Sequence, residues 1–165
     1  GVASSGLHTN GYSLARRVLF ETLGLRVDSV VEELGGAVGD VLLRPHRSYL
    51  DALLPLVDDA ARPVKGLAHI TGGGLTDNVP RILPDGMAAR IDRAAWTVPP
   101  IFRFLQEQGR IEDDEMFRVF NMGIGFILVV RPYFVESIQR QLHRAGERVA
   151  VIGRIEHGTG RLVLK

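Results

Sequence analysis

Apolar residues recur along the chain with two different periods, and the alternation between those periods sets the expected architecture. In residues 13–23, Leu14, Val18, Leu19 and Leu23 fall on one face of a helix. Leu50, Leu53, Leu54 and Val57 repeat the i, i+3, i+4, i+7 spacing in a second helix, expected to begin near Pro45. Residues 64–70 (VKGLAHI) form an apolar run of strand length, after which Leu75, Val79, Ile82 and Leu83 return to helical spacing until Pro84. Residues 87–91 read as another strand. Pro99 and Pro100 then introduce a helix carrying Ile101, Phe102 and Leu105, because proline in a first helical turn gives up no needed donor. The acidic stretch 112–115 opens a helix with Met116, Phe117 and Phe120 inward, and acids at that end meet the helix dipole favourably. The continuous apolar run 126–130 reads as a central buried strand. Phe134, Val135, Ile138 and Leu142 make a last amphipathic helix, and residues 149–155 and 162–164 close as strands around a glycine-bearing turn. This alternation predicts one α/β (α+β) domain over residues 1–165, with a mixed β-sheet of roughly five strands and helices mainly on one face.

Composition narrows the classes of partner. Hydrophobic residues make up 45% and charged residues 24%, which suits a globular core in a chain of this length. Lys and Arg together number 20 against 19 acids, and no arginine run or basic-aromatic stripe appears, so no nucleic-acid partner is expected. Cysteine is absent, which removes disulfides, thiolate metal sites and cysteine nucleophiles and is compatible with a reducing cytoplasm. The longest apolar run, residues 124–130, is far shorter than a membrane span, and residues 1–12 lack the regions of a signal peptide, so no membrane partner is expected. The five histidines show no metal-binding spacing, and no metal site is expected; His46 reads as a capping or surface residue at a helix start. The chain opens at Gly1, without methionine, and is expected to be part of a longer product.

Two glycine-punctuated loops carry the candidate chemistry. His69-Ile70-Thr71-Gly72-Gly73-Gly74 joins a strand to a helix start, where unpaired N–H groups and the helix dipole favour an anion. The plainer reading of the glycines is a tight turn needing positive φ. Neither a dinucleotide fingerprint nor a Gly-Lys-Ser/Thr phosphate loop is present. The second loop, at the start of the chain, places Ser4, Ser5, His8 and Asn10 within eleven residues of helix entry. Its plainer reading is a frayed terminus capped by Thr9 or Asn10.

Taken in order, GVASSGLHTNGYSLAR, HITGGGLTDNVPRILP, AAWTVPPIFRFLQ and EMFRVFNMGIGFILVV resemble the C-terminal half of the phosphoribosylformylglycinamidine cyclo-ligases, also called aminoimidazole ribonucleotide synthetases. The departures are mild: Val2 where leucine is common, Thr9 for serine and Asp77 for glutamate. The resemblance implies the C-terminal domain of an ATP-dependent ligase of de novo purine biosynthesis, which closes the imidazole ring of formylglycinamidine ribonucleotide and releases ADP and phosphate. It implies ATP and Mg2+ held mainly by an N-terminal domain absent from this chain, a cleft between the two halves, and a cytoplasmic homodimer at full length. It implies that Ser4, Ser5, His8 and Asn10 bind the ribonucleotide substrate or its phosphate, and that Thr71, Gly72, Gly73 and Gly74 hold an anionic group. His69 and Asn78 are the implied polar contacts near the reacting amide. Two alternatives stand beside this reading: a non-catalytic binding or assembly domain of the same fold, and another ATP-using synthetase of the superfamily.

Overall fold

A computed structural model describes residues 1–165 and distributes the strands over three sheets. Strand β1 (Val2–Ala3) leads through the first glycine loop into helix α1 (Tyr12–Arg16), which widens to a π-helical stretch over Arg17–Thr22, so that together they cover the span marked by the periodicity. The glycine-rich connection that follows holds a small ribbon, β2 (Val30–Val31) with β3 (Gly36–Ala37), and then α2 (Val38–Leu42). Helix α3 (Leu50–Val57) starts later than expected, because residues 44–49 run irregularly past the first loop and the Pro45 carbonyl accepts from Ser5 Oγ.

Strand β4 (Val64–His69) precedes α4 (Gly74–Asn78), which gives way to a 3-10 turn at Pro80–Ile82. The single helix expected over residues 75–83 is therefore split. Pro80 has no N–H to donate and its ring clashes with the preceding turn. Then follow β5 (Met87–Ile91), α5 (Pro100–Gly109), α6 (Asp113–Val119), β6 (Ile124–Val130), α7 (Val135–Arg144), β7 (Gly153–His157) and β8 (Leu162–Leu164).

The mixed α/β class holds, with its strands shared out rather than joined. One sheet has the order β1-β6-β4 and is antiparallel throughout. A second, β7-β5-β8, is mixed, since β5 runs antiparallel to β7 and parallel to β8. Residues 149–152 make only one bridge, Val2 to Val149, so the expected closing strand is ordered as a ladder only from Gly153. Helices cover both faces of the first sheet: Phe126, Leu128 and Val130 turn toward Leu53 and Leu56 of α3 and Ile138 and Leu142 of α7, while Ile127 joins the larger core with Phe102, Leu105, Phe117 and Phe120. A strand covered on both faces needs an uninterrupted apolar run, which is what β6 has.

The close approach of α4 to α6 rests on a single glycine. Gly74 has φ +56, and a Cβ there would lie 2.0 Å from the Phe117 carbonyl oxygen. Gly72 is open, with nothing nearer to an added Cβ than Asn10 Oδ1 at 3.5 Å. Gly74→Ala is therefore expected to cost on the order of 3 kcal/mol or to prevent folding, combining left-handed strain with a backbone clash. Gly72→Ala leaves the urea midpoint within about 0.5 kcal/mol of the parent; equal losses at the two positions would show that the loop is not built this way.

Candidate functional site

Topology brings the two loops together. Both β1 and β4 are antiparallel to β6, hence parallel to each other, so the loops that follow them leave the same end of the sheet on either side of the start of β6. There, Asn121 fastens the first loop: its Nδ2 donates to the carbonyls of Gly6 (2.8 Å) and Leu7 (3.3 Å), and its Oδ1 accepts from Ser4 Oγ (2.9 Å) and the Gly123 amide (2.8 Å). Ser4 is buried, and its hydroxyl is turned into this internal network.

His8 is 3% exposed and sits at φ +60. The Ser5 amide donates to its Nε2 at 3.0 Å, which leaves the ring proton on Nδ1, and that buried N–H has no partner. Burial first, then the neighbouring His46, His69 and Arg47, push His8 down to about 4. His46 stacks on His8 with centroids 4.0 Å apart, and Thr9 Oγ1 lies 3.4 Å from its Nδ1. His69 lies 5.4 Å from His46, stacks on Phe126 at 5.1 Å, and is itself lowered by burial and by His46. Tyr49 edges against both His8 and His69 and donates to the Ala3 carbonyl.

Three imidazoles whose nitrogens lie within 4.8 Å of one another invite comparison with a metal centre. Two facts of geometry turn the cluster away from one. Rings stacked at 17° direct their in-plane lone pairs side by side instead of toward a common point, and the Ser5 hydrogen bond leaves His8 with an N–H where a ligand needs a lone pair. What the cluster presents is one buried N–H on His8 beside the more open rings of His46 and His69, an arrangement that can meet an anionic or carbonyl oxygen.

The second loop is braced from within. Asn78 is buried; its Nδ2 donates to the carbonyls of Thr71 (3.3 Å), Gly72 (3.2 Å) and Gly74 (2.8 Å), and its Oδ1 accepts from Thr71 Oγ1 and Arg81 at 3.2 Å each. Its amide is thus committed to the loop backbone. Gly73 and Gly74 both have positive φ, so the turn requirement and an open loop surface coexist. Gly72 faces Asn10 across the junction, which joins the loops directly.

Periodicity gave no hint of His46, Tyr49 or Asn121. The only signal for Asn121 is its place before Gly123 and Gly125, glycines that let backbone approach closely: a Cβ on Gly125 would lie 1.9 Å from Tyr49 Oη and 2.8 Å from His8 Cε1.

The structure is thus an α/β domain that converges two glycine loops on three imidazoles at one end of a sheet. The chain belongs to the family described as AIR synthase related protein, C-terminal domain, whose pattern matches residues 1–165. It is 47% identical over 160 residues to a phosphoribosylformylglycinamidine cyclo-ligase of Bacillus velezensis, covering 97% of this chain and 46% of that protein. It is 50% identical over 155 residues to one of Desulfitobacterium hafniense, covering 94% of this chain and 44% of that protein. The chain thus spans just under half the length of these curated relatives. Among solved structures, thiamine-monophosphate kinase from Stenotrophomonas maltophilia K279a shares the fold with a TM-score of 0.62 at 14% identity, over 99% of this chain and 49% of that one. No helix is long and apolar enough to cross a membrane.

The lowered His8 has a consequence for stability. Its folded value lies below its ordinary 6.5, so the unfolded chain takes up the proton first as pH falls. Stability held above pH 6.5 is lost progressively down to about pH 4, by on the order of 2–3 kcal/mol. Urea midpoints measured across that window should fall steeply for the parent and clearly less for His8→Gln; parallel curves would mean that His8 is not the group responsible.

Proposed function

We propose that this chain is the C-terminal half of the ATP-dependent cyclo-ligase that converts formylglycinamidine ribonucleotide to aminoimidazole ribonucleotide, with ADP and phosphate as the other products. One observation carries the reading: the loops bearing Ser5, His8 and Asn10 and Thr71 to Gly74 meet around His8, His46 and His69, in a chain about half identical to proteins named for that reaction.

In this reading Asn10, Gly72 and the backbone of Gly73 line the cleft and hold the ribonucleotide and its phosphate. His8 offers its unpaired Nδ1–H to a substrate oxygen. His69, neutral and exposed at the rim, contacts the reacting amide; a neutral imidazole there can accept a proton or a hydrogen bond. Ser4, Thr71 and Asn78 act as positioning residues, because their side chains are spent on the loops themselves. Ser5 holds the His8 ring through its amide and the segment before α3 through its hydroxyl.

ATP supplies the activation of the formyl oxygen, and the donor set here is not built for its Mg2+. The cluster consists of imidazole, amide and hydroxyl groups, whereas Mg2+ takes carboxylate, phosphate and water oxygens. ATP and Mg2+ are therefore assigned mainly to an N-terminal domain, and the active cleft to the junction of the two halves of a cytoplasmic homodimer. In the full-length protein, Asn10→Ala and Gly72→Ala should raise KM for formylglycinamidine ribonucleotide tenfold or more, with KM for ATP within twofold and melting unchanged. Loss of ATP affinity alone would show that these loops serve the nucleotide instead.

A further inference from the structure

His46 has no part in the contacts proposed for the substrate, yet the chain around it is tied on both sides. Residues 44–49 form neither helix nor strand. Before His46, the Pro45 carbonyl accepts from Ser5 Oγ at 2.7 Å; after it, Arg47 donates to the Gly146 carbonyl at 3.0 Å and meets the buried Glu147 at 2.8 Å. Tyr49 then donates to the Ala3 carbonyl at 2.9 Å. Irregular backbone fixed in this way delivers a side chain to a set position. The half-buried ring of His46 so delivered lies flat on His8, with centroids 4.0 Å and planes 17° apart. Its contact with Thr9 Oγ1, at 3.4 Å, is too long to account for that placement.

His8 needs such a neighbour. Its backbone sits in the left-handed region at φ +60, and the Ser5 amide holds its ring at one atom, Nε2. A single hydrogen bond leaves a ring free to tilt about the bonded atom. The backbone of β6 stops one direction of tilt, because Gly125 comes so near that a Cβ there would lie 2.8 Å from His8 Cε1. The stacked face of His46 stops another. We propose that His46 is a positioning residue of the cleft: its ring fixes the plane of His8 and keeps water from that face, so that the unpaired Nδ1–H meets a substrate oxygen in one direction. This rests on the proposed contact between His8 and a substrate oxygen. The titratable and charged groups that face His8 are His46, Arg47 and Tyr49 from residues 46–49 and His69 from β4, while its own loop and β6 meet it with the Ser5 amide and Gly125. Burial comes first among the causes that hold His8 low, ahead of His46, His69 and Arg47, so loss of a covering ring is felt there directly.

His46→Ala takes the cover away, whereas His46→Phe keeps a flat ring and removes both ring nitrogens. In full-length protein carrying ring-13C histidine, the His8 signal is recognised by its loss in His8→Gln. Its titration midpoint, about 4 in the parent, should rise by about one unit or more in His46→Ala and stay within about half a unit in His46→Phe. At about pH 8, where His8 is neutral in every variant, kcat/KM for formylglycinamidine ribonucleotide should fall about tenfold in His46→Ala and stay within about twofold in His46→Phe, with KM for ATP unchanged. An unmoved His8 midpoint in a folded His46→Ala overturns the proposal. So does a His46→Phe variant as damaged as His46→Ala, since the nitrogens of His46 would then be acting and not its face. A raised midpoint with unaltered kinetics upholds the stacked cover and overturns instead the contact between His8 and substrate. If His46→Ala does not fold, His46→Ser takes its place, and the unaltered protein supplies a second measurement: an Nδ1 proton of His8 visible near neutral pH supports a ring closed to water, and its absence overturns it.

Discussion

The site depends on one constraint, the pairing of β6 along both edges with strands that run the same way. Because β1 and β4 are both antiparallel to β6, the loops after them must leave the sheet together, whatever their distance in sequence. Had either strand been parallel to β6, its loop would have opened at the far end. The glycines in β6 let this junction close tightly, since the space a side chain at Gly125 would need is occupied by Tyr49 and His8. The interior of β6 and the convergence of the loops are therefore one packing problem.

Two buried carboxamides turn loop segments into fixed surfaces. Asn121 holds the first loop to the start of β6, and Asn78 holds the second loop to α4. Each satisfies backbone groups that a glycine-rich turn would otherwise leave unpaired, at a cost of roughly 1–3 kcal/mol per buried group. A loop held in this way loses less entropy when a ligand arrives, so more of each new hydrogen bond appears as affinity. This is also why Asn78 reads differently in three dimensions from its appearance in the sequence: it is a polar residue near a glycine loop, but its hydrogen-bonding capacity is used by that loop.

Elements whose signal is local were legible in the sequence. The runs that became β4, β5, β6 and β8 and the helical periods of α5, α6 and α7 needed only their neighbours. The misplaced boundaries each involve something periodicity does not weigh. Pro80 breaks a good apolar repeat, and α3 begins after its prolyl entry because residues 44–49 are held by the first loop. Both glycine loops were visible as composition, and two helix starts that could share one phosphate pointed to a common cleft, but the residues that hold the junction, His46, Tyr49 and Asn121, were not visible. Asn121 reaches carbonyls 114 and 115 residues away, and no window along the chain contains both partners.

At the histidine cluster, the proposed site draws on ring N–H groups as well as on the arginines that reach its loops, Arg44 at Ser5 and Arg81 at Asn78. Arg47, which is paired with the buried Glu147 at 2.8 Å, still adds to the lowering of His8. His8 and His69 are held neutral mainly by burial, with their neighbours adding to it. A cationic site would bind any phosphate strongly through charge, whereas the buried Nδ1–H of His8 rewards only an oxygen placed along the N–H direction. In the proposed reaction, discrimination would then come from geometry: a fixed positive charge would keep substrate and product alike, whereas a neutral imidazole would release a product whose oxygens have moved.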